Sequence, residues 1–333
     1  MSATIHDVAR VAGVSIKTVS RVLNGESNVA AATAALVHQA IAELDYHPNH
    51  AARALRTGAS DTIGVIVDSL SDPFFAKLIS VFEDRATAAG MDVVVASTGA
   101  DEDRARMQMT RMVRRNVRGL LVAPFGPSLA ALPEPGVVPT VLIDRHVEGS
   151  PYDEVIVDDE AAALTAVTHL LEHGHTKIGF LGESLRFSTV HDRLKGYRRA
   201  LDAHAVSLTP EYVHTACWDS DTAMRLTKAM LGLEDAPTAI FASTPITGIG
   251  VLSGLRAIGR SDVAVVVFGD FPLSTVLEPA ITVVDQVPLD LANTAMDRLL
   301  ARLGGDTSAP TSTVVATQFI VRGSGELPPA GDR

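Results

Sequence analysis

The sequence feature that most constrains the fold is a regular alternation of short apolar runs with helical stretches between residues 62 and 303. Val- and Ile-rich runs of this kind are typical of strands in a parallel sheet, because helices cover both of its faces. The runs are TIGVIVD (62–68), MDVVVAS (91–97), GLLVAP (119–124), TVLID (140–144), KIGFLG (177–182), YVHTACW (212–218), TAIFAS (238–243) and VAVVVF (263–268). The helical stretches lie near residues 75–89, 102–116, 160–173, 190–204, 220–231, 246–258 and 289–303.

The runs fall into two successive sets, so we predict an α/β core over residues 61–333 that consists of two doubly wound, parallel-sheet lobes. Ligands bind to such sheets at the carboxyl ends of the strands. A cleft between two lobes also suits a small polar molecule and a hinge closure. The sequence therefore predicts a small-molecule site between the lobes.

The first 48 residues have a different pattern, which predicts an all-α helix-turn-helix domain. Residues 5–12 carry apolar side chains at helical spacing and are followed by Gly13. Ser15 is a candidate N-cap for a second helix over residues 16–23, and a third helix is expected over residues 33–44. A short helix, a glycine-containing turn and another short helix are typical of DNA-binding proteins. An ordinary pair of surface helices remains the alternative interpretation.

The second helix is expected to bury Val19 and Val22 and to turn four side chains outward, namely Ile16, Lys17, Ser20 and Arg21. The N-terminal residues of such a helix reach base edges in a major groove. Arg21 suits a guanine edge, whereas Lys17 suits either a base or a phosphate.

Residues 49–60 predict a hinge helix and linker. Asn49 supplies an N-cap, HAARALRT provides about two turns, and Gly58 ends them. So short a helix is unstable alone, and Leu55 is its one large apolar residue, so we expect it to order on a partner. Leucine wedges that enter a minor groove would provide one, and a plain flexible linker is the alternative.

The charge distribution confines any DNA contact to the N-terminal end. The chain carries a net charge of −11, and residues 1–60 hold five basic and four acidic side chains. The remainder holds 23 basic and 35 acidic side chains, which gives +1 for the first part and −12 for the rest. An acidic core repels DNA.

The remaining composition predicts a cytoplasmic protein with no membrane contact. The single cysteine, Cys217, cannot form an internal disulfide, which is typical of a reducing compartment. No apolar run reaches the roughly 18–20 residues that span a bilayer. The first residues lack the basic and apolar regions of a signal peptide.

Taken in order, several segments make the chain resemble the LacI/GalR family of regulators over nearly its full length. They are TIHDVARVAGVSIKTVSRVLNG, YHPNHAARALRTG, DTIGVIV, SDPFF, VLIDR, HGHTKIGFLG, DRLKGYRRAL and TVVDQ. The resemblance implies a homodimer that binds a pseudo-palindromic, double-stranded DNA operator, under the control of a small-molecule effector. It implies neither a cofactor nor a metal ion.

The resemblance also implies three crossovers between the lobes, near residues 158–162, 286–291 and 318–322. Lobe 1 then comprises about 61–160 plus 290–319, and lobe 2 about 161–289 plus 320–333. The tail after Arg322 has no leucine heptad, which favours a dimer over a tetramer.

The resemblance assigns the DNA contacts to the helix-turn-helix and hinge. The implied residues are Ser15, Ile16, Lys17, Thr18, Ser20, Arg21, Asn24, Asn28, Asn49, Ala52 and Leu55. The chain departs from the family at the start of the third helix, where Ala30-Ala31-Ala32 stands in place of the usual serine cap. A lost cap costs about 1 kcal/mol of helix stability.

The implied effector residues lie in the core, and they are Asp72, Phe74, Phe75, Asp144, Phe187, Thr189, Arg193, Trp218, Thr244, Asp270 and Gln286. Two departures stand out, because Thr244-Pro245 replaces a frequent Asn-Asp and Gly269 replaces an aspartate. We therefore expect a less acidic cleft that disfavours simple hexoses. A nucleoside, a modified sugar or a disaccharide fits better.

Two other classes of protein compete with this interpretation. A periplasmic-type solute receptor is disfavoured by the DNA-binding end, and a nucleotide-dependent oxidoreductase by the spacing of Gly248, Gly250 and Gly254. No catalytic motif indicates an enzyme. The histidines in HLLEHGH (169–175) are expected to be solvated residues at a helix end.

Overall fold

The structure is a computed structural model that describes residues 3–23, 29–46, 60–99, 101–126 and 132–329. The chain divides into two compact units, residues 1–60 and residues 61–333. Five predicted DNA-contacting residues lie outside the described residues, namely Asn24, Asn28, Asn49, Ala52 and Leu55.

The first unit contains three helices, α1 (Ile5–Ala12), α2 (Ile16–Leu23) and α3 (Ala31–Glu43). Gly13 ends α1 with a φ of 66°, a left-handed conformation that glycine adopts readily. The Ser15 hydroxyl accepts a hydrogen bond from the Thr18 amide at 3.1 Å and so caps α2. A small core encloses Val8, Val19, Val22, Val37 and Ala40.

The third helix begins at Ala31, two residues before the predicted start. Its N-cap is Ala30, and no side chain accepts a hydrogen bond from the first turn. The structure therefore lacks a side-chain cap at the start of α3, as the sequence predicts. The unpaired amides of the first turn are left to solvent or to a ligand.

Lobe 1 of the second unit is built on a six-stranded sheet in the order β11-β5-β4-β3-β1-β2, in which every pair is parallel. Its helices are α4 (Pro73–Ala88), α5 (Glu102–Arg114) and α10 (Pro288–Leu303), and α10 packs against α4 and three of the strands. The strands are β1 (Thr62–Val67), β2 (Asp92–Ser97), β3 (Gly119–Val122), β4 (Thr140–Ile143), β5 (Asp153–Val157) and β11 (Ser312–Val315).

Lobe 2 repeats this plan in the order β12-β10-β9-β8-β6-β7, and only the pair β10–β12 is antiparallel. Its helices are α6 (Asp159–Glu172), α7 (Ser188–Ala203), α8 (Ser220–Leu231) and α9 (Pro245–Ala257). The strands are β6 (Ile178–Leu181), β7 (Val213–His214), β8 (Ala239–Ala242), β9 (Ala264–Phe268), β10 (Thr282–Asp285) and β12 (Gln318–Ile320). The two predicted doubly wound lobes are thus confirmed.

The chain passes between the two sheets three times, after β5, after β10 and after β11. The first two passages coincide with predicted crossovers. The third lies between Val315 and Gln318, so β12 already belongs to lobe 2 two residues before the expected boundary. The predicted strand YVHTACW is also too long, since only Val213 and His214 pair with β6.

Gly250 and Gly254 have a packing role in the structure, whereas the expectation about the histidines changes. Gly250 and Gly254 lie inside α9, where an added Cβ on Gly250 would approach the Ser220 carbonyl oxygen to 2.5 Å, so these glycines permit close packing of α9 on α8. The histidines near residue 170 are not all solvated. His175 is fully buried and contacts the Thr238 hydroxyl, and His169 contacts Glu326.

Candidate functional site

The exposed face of α2 is the first candidate site, and it belongs to the helix-turn-helix. Val19 and Val22 are buried, whereas Ile16 and Lys17 are exposed at the start of the helix. The remaining predicted contact residues of this helix, Thr18, Ser20 and Arg21, are half-buried. The structure therefore presents one apolar and one cationic side chain at the end of the helix that enters a groove in proteins of this type.

The second candidate site is a chamber of about 440 Å³ between the two lobes of the second unit. It lies where strands of both sheets end, as the doubly wound topology requires. Lobe 1 contributes Asp68, Ser69, Ser71, Asp72, Phe75, Gly99 and Arg145 to its wall, and lobe 2 contributes Glu183, Phe187, Trp218, Asp219, Ser220 and Ile246.

Arg145 joins the two walls of this chamber. Its guanidinium lies 2.5 Å from the Asp68 carboxylate, 3.5 Å from Asp144 and 3.9 Å from the centroid of the Phe187 ring. Burial lowers the pKa of Arg145, but Asp68 and Asp144 outweigh that effect and hold it above its ordinary value. The side chain is thus a permanent buried cation, and its Nε atom has no hydrogen-bond partner in the described part of the chain.

Two carboxyl groups of the chamber have shifted acidities. Burial raises the pKa of Glu183 to about 7, against the attraction of Arg145. Burial also raises the pKa of Asp72 to about 6, although the carboxylate accepts a hydrogen bond from the Phe74 amide at 2.9 Å. Both groups therefore exchange protons near neutral pH.

The aromatic side of the chamber is formed by three rings in edge-to-face contact. Phe187 lies between Phe125, at 5.3 Å between centroids, and Trp218, at 6.2 Å. Phe187 is almost completely buried, whereas Trp218 remains 49% exposed. Trp218 is thus free to stack on a bound molecule.

Deeper between the lobes, several predicted effector residues are bound to one another. The Arg193 guanidinium contacts the Asp159 carboxylate at 2.7 Å and the Ser243 carbonyl oxygen at 2.5 Å, and it lies 3.7 Å from the centroid of Phe268. Gln286 donates a hydrogen bond to Asp144 at 3.3 Å. These buried side chains do not line the chamber.

The two departures from the family pattern, Thr244-Pro245 and Gly269, lie next to each other in the structure. An added Cβ on Gly269 would lie 2.7 Å from Cγ of Pro245, so the proline ring fills the space that a side chain at 269 needs. Thr244 is likewise occupied, because its hydroxyl caps α9. Thr244 and Pro245 are therefore both engaged in contacts within lobe 2.

Four of the eleven predicted effector residues line the chamber, namely Asp72, Phe75, Phe187 and Trp218. Phe74 and Thr189 are buried beside it. Asp270 pairs with Arg322 at 2.7 Å, and this pair holds the pKa of the carboxyl at about 2 despite partial burial. That pairing removes Asp270 from the wall, whereas its sequence position alone suggested a ligand contact.

Sequence analysis did not identify four charged residues of the wall, namely Asp68, Arg145, Glu183 and Asp219. Asp68 directly follows β1, and Arg145 and Glu183 lie two residues after the ends of β4 and β6. A position at the carboxyl end of a strand is a signal that the sequence offers for such residues. With Asp72, the wall carries four carboxyl groups and one guanidinium, and the positions at which acidic groups are missing, 244, 245 and 269, do not line it.

The described residues were compared with the requirements of a metal site and of a membrane-spanning helix. Within them, no group of three or more His, Cys, Asp or Glu side chains is placed to hold a metal ion. No helix there is both long and apolar enough to cross a membrane.

Two family profiles match the chain. Residues 4–49 match the bacterial regulatory proteins of the lacI family, and residues 167–325 match the periplasmic binding protein-like domain. The first match covers the helix-turn-helix unit, and the second covers most of lobe 2 together with α10 and β11 of lobe 1.

Characterised relatives match over most of their length. The chain is 31% identical to an HTH-type transcriptional repressor PurR of Aliivibrio salmonicida, over 90% of this chain and 92% of that protein. It is also 31% identical to the catabolite control protein A of Priestia megaterium, over 94% and 96%.

Solved structures agree with the sequence relatives. A lac repressor dimer bound to operator and the anti-inducer ONPF is 27% identical over 98% of this chain and 99% of that chain, with a TM-score of 0.86. A complex of the transcriptional regulator CelR with cellobiose is 28% identical over 97% and 99%, with a TM-score of 0.72. The chain therefore belongs to the LacI family of bacterial regulatory proteins.

Proposed function

We propose that this protein is a transcriptional repressor whose affinity for a DNA operator is controlled by a small molecule bound in the chamber. The observation that carries the proposal is the combination, in one chain, of a capped helix that exposes Ile16 and Lys17 with a charged chamber between two lobes. A helix of this kind binds DNA, and a cleft between lobes couples ligand binding to a change of shape.

The DNA-binding part of the proposal covers residues 1–48, with a hinge at 49–60. The base-reading residues are Ile16, Lys17 and Arg21. The supporting contacts are Ser15, Thr18, Ser20, Asn24, Asn28, Asn49 and Ala52, with Leu55 as a minor-groove wedge. Two copies of the chain bind a pseudo-palindromic operator, since a two-fold axis of the protein then matches that of the DNA. The operator-bound lac repressor dimer supports this arrangement.

The core, residues 61–333, serves as the effector-binding and dimerisation part. Its ligand is a sugar, a sugar derivative or a nucleoside, and cellobiose in the CelR complex supports a ligand of disaccharide size. The effector acts only through its different affinities for the two conformations of the lobes. The protein has a regulatory and not a catalytic role in this proposal.

The test of DNA binding begins with selection of a binding sequence from random double-stranded DNA. Fluorescence anisotropy then compares the selected duplex with a scrambled one. We expect Lys17→Ala to weaken binding and to reduce the salt dependence of log K by about one unit if Lys17 contacts a phosphate. Lys228→Ala, which removes an exposed lysine from α8, is the matched control.

Failure to enrich any sequence, or equal affinity for the selected and scrambled duplexes, would refute the repressor function. An effect of Lys228→Ala as large as that of Lys17→Ala would refute the assignment of the contact to α2.

A further inference from the structure

Three carboxyl groups in the chamber wall lie near basic side chains but in no close ion pair with a described one, namely Asp72, Glu183 and Asp219. None of them forms an ion pair with a described lysine, arginine or histidine. Arg145, the cation that contributes to this wall, already lies 2.5 Å from Asp68. The charges of Asp72 and Glu183 are therefore only partly compensated, whereas that of Asp219 is stabilised by the Thr222 amide at 2.6 Å.

These carboxyl groups come from opposite lobes. Asp72 precedes α4 in lobe 1, whereas Glu183 follows β6 and Asp219 caps α8 in lobe 2. Like charges on two approaching surfaces repel each other, and the repulsion strengthens as water is excluded. A cation between the lobes converts this repulsion into attraction on both sides.

Burial disfavours the charged forms of two of these groups. Burial raises the pKa of Glu183 to about 7 and that of Asp72 to about 6, and the charge of Asp72 further raises that of Glu183. A neutral polyol donates hydrogen bonds to these two carboxyl groups but brings no countercharge, whereas an ammonium group provides both.

Two further side chains of the wall, Trp218 and Arg145, bear on which ligand can bind. Trp218 offers an exposed ring that attracts either a cation or an apolar sugar face. The buried Nε of Arg145 faces the Asp144 carboxylate at 3.5 Å, so this cation is already engaged by carboxylates of lobe 1. Because Arg193 and Gln286 are paired with other side chains deeper between the lobes, a ligand in the chamber finds its polar contacts in this wall.

We propose that the effector carries a protonated amine next to hydroxyl or ether oxygens, as an amino sugar does, and that Asp72 and Glu183 bind its ammonium group from opposite lobes. This inference rests on the proposed function, because it takes the chamber to be the effector site. It replaces a neutral sugar with a cationic one as the class of ligand.

Three disaccharides with the same β-1,4-linked skeleton test the charge alone. Cellobiose carries hydroxyls at the C2 positions, N,N′-diacetylchitobiose carries neutral amides, and the diglucosamine disaccharide carries amines. Each is titrated into the full chain near neutral pH, and binding is followed by the fluorescence of Trp218, the only tryptophan of the chain.

We expect the diglucosamine disaccharide to bind at least about tenfold more tightly than either neutral disaccharide. The double variant Asp72→Asn with Glu183→Gln should lose this preference. Asp221→Asn, which removes an exposed acid on α8 outside the wall, should keep it.

Equal or tighter binding of cellobiose overturns the inference, and so does a lack of response to the diglucosamine disaccharide at millimolar concentration. Persistence of the preference in the double variant overturns it as well, because the amine is then bound elsewhere. If the preference is found but operator affinity does not change on binding, the cation site stands and the proposed effector role fails.

Discussion

The guanidinium of Arg145 in lobe 1 lies 3.9 Å from the centroid of the Phe187 ring in lobe 2. The same guanidinium is 2.5 Å from Asp68, so one side chain joins the sheet edge of lobe 1 to the aromatic wall of lobe 2. A cation over a buried ring is worth about 2 kcal/mol when it is shielded from water. This contact therefore contributes to the relative position of the two lobes.

Replacement of Arg145 by alanine should lower the free energy of unfolding by about 3–5 kcal/mol, because it leaves the buried Asp68 carboxylate without its partner. Urea unfolding of the full chain measures this change. The double variant Arg145→Met with Asp68→Asn should lose less than the sum of the two single variants. A loss below about 1 kcal/mol for Arg145→Ala would contradict the role of the pair.

Glu183 should make the protein less stable as the pH rises through neutrality. Its pKa is about 7 in the folded state, above the ordinary value of 4.5, so the folded state retains a proton that the unfolded chain releases. The associated stability is complete below about pH 4.5 and is lost as the pH approaches about 7, with a maximum effect of about 3 kcal/mol.

The variant Glu183→Gln should therefore show a flatter dependence of unfolding free energy on pH over this range. Asp72 titrates in the same direction and keeps part of the slope in the variant. Parallel curves for the two proteins would show that Glu183 is not buried as described.

The strands of the core could be predicted from sequence only where they are continuous apolar runs. β5, β10, β11 and β12 contain acidic or other polar residues, or only three or four residues, and their pairing depends on partners distant in sequence. Hydrophobic pattern does not identify such strands.

The location of the chamber could be predicted from the sequence, but the side chains that line it could not. The topology locates it at the carboxyl ends of the strands. Whether an arginine faces that space depends on tertiary partners: Arg193 turns to Asp159, 34 residues away, whereas Arg145 lines the wall. Likewise, the contact of Pro245 with the position of Gly269 cannot be read from either residue alone.

The variant Ala30→Ser should stabilise α3 by about 1 kcal/mol, because the N-cap residue supplies no side-chain acceptor. Amide hydrogen exchange of the first turns of α3 in the full chain measures the effect. Ala31→Ser, one residue further inside the helix, is the matched control and should not slow exchange. Equal exchange in Ala30→Ser and the unmodified chain would contradict the cap assignment.

The variant Gly250→Ala should destabilise lobe 2 by about 1–3 kcal/mol, since the new methyl group would lie 2.5 Å from Ser220 and Ala223 on α8. Thermal unfolding of the full chain measures this loss. Ser253→Ala, at an exposed position of the same helix, should change stability by less than about 0.5 kcal/mol. An unchanged melting temperature for Gly250→Ala would show that α8 and α9 are packed less closely.

In the proposed function, one protein couples an operator bound by α2 to a ligand bound between the lobes. The most direct measurement titrates the diglucosamine disaccharide against the full chain with and without the selected operator, by Trp218 fluorescence, and titrates operator with and without disaccharide, by anisotropy. Linkage requires that the disaccharide change operator affinity by the same factor, about 5–150-fold, by which the operator changes disaccharide affinity. Equal factors are the predicted result, and saturation of the chamber without any change in operator affinity would contradict the account.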